Sequence, residues 1–138
     1  MPSVAVDSGV LYALFDASDR HHRRAAGFLD RPGTTFVTNI PAMTEVVYLL
    51  RYSHEAQLAF LSFAGEALEI DEQTAASLPR IVEIMAKYRD LPADFADASL
   101  VGMCERRGIT DIATLDKDFD VYQLPTGHKL RNVFRDAG

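Results

Sequence analysis

Four short runs that read as strands recur along the chain with helical stretches between them. They are "SVAVD", "TTFVT", "ALEID" and "DIATLD". Strands that alternate with helices pair in parallel and bury both faces. The pattern therefore predicts an α/β three-layer sandwich, with a mostly parallel sheet of four to five strands between helices. The tail "HKLRNVF" reads as a fifth, edge strand.

The intervening segments carry their own signals. "SDRHHRRAAGFLD" has a Ser/Asp start and helical spacing through Ala25, Phe28 and Leu29. In "NIPAMTEVVYLLRY", Asn39 reads as an N-cap with Pro41 in the first turn, and Met43, Val46, Val47 and Leu50 form one stripe. Ser53 reads as the cap of a helix carrying Leu58, Phe60 and Leu61. A long helical stretch is expected from about Glu72 to Arg89, interrupted at Pro79. Another opens at Asp94 and closes at Gly108.

At 138 residues the chain is read as a single domain, 1–138, large enough for one substantial core. A lone cysteine, Cys104, permits no intrachain disulfide, and the start "MPSVAV" lacks the basic flank and apolar stretch of a signal peptide. With no apolar run near the length of a membrane span, a cytoplasmic protein is expected. The adjacent His21 and His22 have no Cys or His at zinc-site spacing. The net charge of −6 argues against nucleic-acid binding by bulk electrostatics. It leaves open a nuclease, whose acids would be neutralised locally by cations.

Acids are the anomaly. Asp94, Asp97, Asp111, Asp116 and Asp118 crowd the last third of the chain, and Asp7 ends the first strand. In α/β sheets sites form beyond the carboxyl ends of strands, where Asp7 and Asp116 fall. Asp97 heads a helical stripe continued by Leu100, Val101 and Cys104, an expensive place for an unpaired carboxylate. An ordinary first-turn Asp facing water would look the same. Asp94, a turn earlier, suits the cap. Glu45 lies beside the core stripe of its helix, with Ala42 and Leu49 on its side, and would usually be solvated there. Asp7, Asp116 and Asp118 each have a turn reading. Taken together, four acids brought to one pole repel and raise one another's pKa, a conflict that hard oxygen-seeking Mg²⁺ or Mn²⁺ removes.

In order, "VAVDSGVLYALFD", "TNIPAMTEVVYLL", "DFADASLVGMCERRG" and "IATLDKDF" resemble the PIN domain, in particular its VapC-like single-domain branch, over nearly the whole chain. The resemblance implies a metal-dependent ribonuclease, with Asp7, Glu45, Asp97 and Asp116 as its catalytic and metal-holding acids and Mg²⁺ or Mn²⁺ as cofactor. Ser8 and Thr114 match small hydroxyl positions beside the acids, and Asp118 an often acidic one. Asp94 is the rival of Asp97 for third place, and the helical stripe favours Asp97. In "DASDRHH", Asp19 reads as a cap and His22 as packing. The resemblance further implies an RNA substrate, a cognate antitoxin and a homodimer formed over the apolar helices. Arg20, Arg23, Arg24, Arg106, Arg107, Lys117, Lys129 and Arg131 are candidates to guide RNA, though solvation is the commoner role of such charges.

Rival readings are a catalytically weak PIN-fold binding module, a phosphoacceptor receiver and a haloacid-type phosphatase. A receiver wants an acid pair after its first strand, and the phosphatase a paired D-x-D. "VDSG" supplies neither.

Overall fold

A computed structural model of the chain describes residues 2–91, 93–124 and 127–135. The sheet has five strands: β1 (Ser3–Val6), β2 (Thr35–Asn39), β3 (Glu69–Asp71), β4 (Asp111–Ala113) and β5 (Arg131–Asn132). Their order is β3-β2-β1-β4-β5, and every pairing is parallel. The tail is indeed an edge strand, two residues long.

The helices are α1 (Ser8–Phe15), α2 (His22–Leu29), α3 (Ile40–Leu49), α4 (His54–Ala67), α5 (Leu78–Lys87) and α6 (Phe95–Arg107). Strand alternation sorts them into layers. Val4, Val6, Phe36 and Ala113 face one core with Val10, Leu11, Phe28, Phe60 and Ala64 of α1, α2 and α4. Ala5, Val37 and Ile112 face the other with Ile81, Ile84, Leu100 and Cys104 of α5 and α6. Helix α3 serves both, giving Met43 and Val46 to the first and Ala42 to the second. It therefore lies where the layers meet.

Local chemistry explains most boundaries. The Asn39 side chain accepts from the Ala42 N–H at 3.0 Å and Ser53 from Ala56 at 3.2 Å, so both expected caps form. Pro79 does not interrupt a long helix. A 3-10 turn at Thr74–Ser77 precedes it, and Pro79 sits in the first turn of α5, where its missing N–H would have had no partner. Gly108 ends α6 at φ 69°, the left-handed conformation that a side chain would strain.

Two departures matter. Helix α1 lies inside what the periodicity left undivided between the first strand and α2, because its residues are apolar on nearly every side. On α4, only Phe60 and Ala64 are fully buried, while Leu58 and Leu61 are 53% and 43% exposed. That places apolar surface on the outside of the molecule beside exposed Tyr48 and Tyr52. None of the described helices is long and apolar enough to cross a membrane.

Candidate functional site

Parallel pairing puts all strand ends on one rim, and there the acids meet. Asp7 is the residue after β1 and the N-cap of α1. Glu45 is midway along α3, Asp97 lies in the first turn of α6, and Asp116 follows β4. Asp7, Ser8, Glu45, Asp94, Asp97 and Asp116 line one cleft of about 280 Å³, with Gly9, Leu49 and Leu115 completing the wall. Asp111 is excluded: it starts β4 at the far end of the strand and pairs with Arg131 at 3.1 Å. Asp118 does not line the cleft, and its N–H donates to Asp116 Oδ1 at 2.9 Å.

A frame of small polar groups holds the acids. Asp7 Oδ1 accepts from the Ser8 N–H at 2.7 Å, and Asp7 Oδ2 from Thr114 Oγ1 at 2.8 Å. Ser8 Oγ donates to Glu45 Oε1. Thr114 Oγ1 also accepts from the Asp116 N–H at 2.9 Å, so a single hydroxyl links the acid of β1 to the turn after β4. Asn132 of β5 grips the Thr114 backbone, its Nδ2 donating to the carbonyl at 3.0 Å. Ser8 and Thr114 thus orient carboxylates. Asp94 is the N-cap of α6, accepting from the Asp97 N–H at 2.8 Å, yet its side chain also borders the cleft.

Electrostatics matches the geometry. Asp7 is 5% and Asp97 8% exposed, and neither pairs with a cationic side chain among the described residues. Burial pushes the Asp7 carboxyl up to about 6, against hydrogen bonds from Thr114 and Ser8 that favour its charge, with Glu45 and Asp116 adding repulsion. Asp97 rises further, to about 8, by burial and then by the charges of Asp7, Asp94, Asp116 and Glu45. Like charges this close are mutually destabilising, and removing that cost calls for protons or a cation.

Every donor in the cleft is oxygen, the set that hard divalent cations take. As the side chains stand, no three described Asp, Glu, His or Cys residues close at ion-binding spacing, so the ligand set is an open one. An open set of carboxylate oxygens fits a hydrated ion that retains several waters.

Three features were not legible in the sequence. Asn39, read only as a cap, also donates from Nδ2 to Ser99 Oγ at 3.0 Å while fully buried, tying the start of α3 to the first turns of α6. It thereby fixes Glu45 relative to Asp97. Tyr122 packs edge-on against Tyr88 and Phe119, and its buried hydroxyl has no hydrogen-bond partner. Burial first, then the charges of Asp97, Asp118, Asp116 and Asp94, push that hydroxyl's pKa upward. The third is the Asp71 cluster, in which Arg106 and Arg107 both bond a buried carboxylate. As expected, His22 packs: its Nδ1 lies 2.8 Å from the Ala13 carbonyl. Asp19 accepts from the His21 N–H at 2.8 Å, a turn just before α2 rather than a cap on it.

A parallel sheet between helices, with acids gathered on its carboxyl rim from β1, α3, α6 and the turn after β4, defines a class, and the chain belongs to it: residues 4–123 match the PIN domain family. Within the family the likeness is to VapC proteins. The chain is 31% identical over 115 residues to Ribonuclease VapC26 of Mycobacterium tuberculosis, an alignment spanning 81% of this chain and 85% of the relative. Among solved structures it resembles Mycobacterium tuberculosis VapC20, described as a Sarcin-Ricin loop cleaving toxin, with a TM-score of 0.77 at 23% identity, over 86% of this chain and 93% of that one. VapBC2 from Rickettsia felis, bound to a DNA fragment from their promoter, gives a TM-score of 0.63 at 12% identity, over 85% and 90% of the two chains. At such identities these two are likenesses of fold.

Proposed function

We propose that this chain is a single-domain ribonuclease, a phosphodiester hydrolase dependent on Mg²⁺ or Mn²⁺, and the toxin of a toxin–antitoxin pair. The observation that carries the reading is the convergence of Asp7, Glu45, Asp97 and Asp116 on one cleft with no cationic side chain among the described residues to neutralise them. The likeness to a VapC ribonuclease supports the choice of RNA as substrate.

In this reading Asp7 and Asp97, the most buried acids of the cleft, would hold the divalent cation, with Asp116 and Glu45 completing the set. The ion supplies activation of water and stabilisation of the charge on phosphorus during in-line displacement. The chain's own contribution is orientation. Ser8 and Thr114 hold Asp7 by both oxygens, Ser8 steers Glu45, and the Asn39–Ser99 bond sets α3 against α6. Such fixed geometry allows a carboxylate to act without reorganising. Asp94 contributes mainly as the cap, and Asp118 assists only through the turn that it shares with Asp116.

The antitoxin is the proposed protein partner, and the exposed apolar side chains Tyr48, Tyr52, Leu58 and Leu61 favour a protein contact over α3 and α4. A homodimer and a cytoplasmic setting belong to the same reading. The binding-module alternative is the weaker, because a chain that only binds has no use for acids held at this cost.

The test is cleavage of labelled RNAs by the purified chain with Mg²⁺, Mn²⁺ or EDTA, beside Asp7→Asn and Asp97→Asn. Cleavage that needs the cation and is lost in both variants is expected. Full activity in either variant, or in EDTA, overturns the mechanism.

A further inference from the structure

The fold sorts the basic side chains into those already paired and those left to act. Arg80 pairs with Glu105 and Glu83, Arg106 and Arg107 with Asp71 and Glu69, and Arg131 with Asp111. Arg24 and Lys117 have no carboxylate partner among the described residues. Although 93 residues apart in sequence (117 − 24), both line the same pocket. Leu115, Asp116, Asn132 and Arg135 also line it. Leu115 and Asp116 are walls of the acid cleft as well, so the two hollows share a rim.

Arg24 is built into this pocket rather than draped over it. Its Nη2 donates to the Phe134 carbonyl at 2.7 Å, and its guanidinium lies 4.1 Å above the Phe134 ring. Its Nη1 lies 3.4 Å from His21 Nδ1, and its Nε–H is buried with no hydrogen-bond partner among the described residues. A charged donor left unsatisfied is costly, and an incoming anion lowers that cost by neutralising the group it belongs to. Arg135 is held by Asp120 at 2.7 Å, so Arg24 and Lys117 remain to meet a ligand. The pocket's volume, about 160 Å³, is below the ~300–1,000 Å³ of sites that enclose whole small molecules. It suits a phosphate group on a larger chain.

Resting on the ribonuclease reading above, we propose that this pocket seats the backbone phosphate next to the scissile one in a single-stranded RNA, with Lys117 and Arg24 meeting its oxygens. A chain of net charge −6 with an acid-lined cleft repels a polyanion, so its substrate needs a local cationic hold beside that cleft. The shared Leu115–Asp116 rim puts that hold one step along the RNA from the acids.

The test is fluorescence anisotropy of a labelled single-stranded RNA with the Asp97→Asn chain in Mg²⁺, over a salt series. Adding Lys117→Gln should weaken binding about fivefold near ~0.1 M salt and reduce the slope of log Kd against log salt by about one. Arg24→Gln should act in the same direction. Lys87→Gln, an equal change of charge on exposed surface elsewhere, serves as the baseline. Binding by Asp97→Asn that Lys117→Gln disturbs no more than Lys87→Gln overturns the pocket and leaves the ribonuclease reading standing. Absence of RNA binding by folded Asp97→Asn itself overturns both.

Discussion

Asp71 and Asp97 are both buried aspartates, 0% and 8% exposed, and they titrate in opposite directions. For both, burial is the largest influence and opposes charge. At Asp71 the bonds from Arg106 and Arg107 outweigh it, and the carboxyl is held well below the ordinary range. At Asp97 the neighbours are Asp7, Asp94, Asp116 and Glu45, and repulsion compounds the burial. Burial sets the size of the stake, and the partner sets its sign. A fold able to supply two arginines to one buried acid has supplied none to the other, and in the proposed function an outside cation would take their place.

The largest expected effect separates function from stability. Asp97→Asn should lower metal-dependent RNA cleavage at least about a hundredfold, since it removes a charge meant for the transition state. Because that charge is unwelcome in the ion-free fold, thermal unfolding in EDTA at pH 8 should show Asp97→Asn at least as stable as the parent. A clear loss of stability would mean that Asp97 is paired like Asp71.

The converse substitution strikes stability first. Replacing both Arg106 and Arg107 by Ala strands the Asp71 carboxylate and should cost about 3 kcal/mol in urea unfolding, the low end for buried pairs because both guanidinium groups are partly exposed. RNA affinity should follow only as far as folding does. Unchanged stability would deny that the cluster matters to the fold.

A smaller effect should appear in pH dependence. Asp7 and Asp97 have folded pKa values, about 6 and about 8, above the 3.8 of an unperturbed aspartate. Between 3.8 and those values the folded chain holds protons that the unfolded chain has released, so stability falls as pH rises. The Tm in EDTA should therefore decline from pH 5 to pH 8 and flatten above. Mn²⁺ should raise Tm more at pH 8 than at pH 5, where protons compete for the same oxygens. A Tm that climbs over this range in EDTA would refute the assignment.

The smallest effect divides the two roles of Asp94. Asp94→Asn keeps a capping oxygen and removes a charge that repels Asp97, so stability in EDTA should hold or rise slightly. Asp94→Ala loses the cap of α6 and should cost about 1 kcal/mol. Equal unfolding midpoints for the two would show that the cap contributes little.

How much of this was legible beforehand depended on range. Caps, the Asp97–Leu100–Val101–Cys104 stripe and the strand-end positions of Asp7 and Asp116 are local patterns, and periodicity displays them. Helix α1 escaped because its residues are apolar on nearly all sides, which erases the periodic contrast. Pro79 was misplaced because a proline that begins a helix and one that breaks it look the same when the preceding turn is unknown. The Asn39–Ser99 tether, the Arg106–Asp71 pair and the Tyr88–Tyr122 ring contact join residues dozens apart, and no window spans them. Within the cleft, the sequence named the acids, whereas Asp94 and Asp118 were told apart only by which of them reaches the wall.

The clamp at Thr114 bears on when the cleft can exist. Asp7 is made well before Asn132, yet one of its two carboxylate oxygens is held by a hydroxyl whose backbone is gripped by Asn132 of β5. On the ribosome, a chain that has emerged only as far as α6 carries Asp7, Glu45 and Asp97 without that grip. Whatever chemistry the cleft performs is thereby deferred until β5 has followed α6 out of the ribosome, so exposing the acids of β1, α3 and α6 is not yet enough to assemble the site.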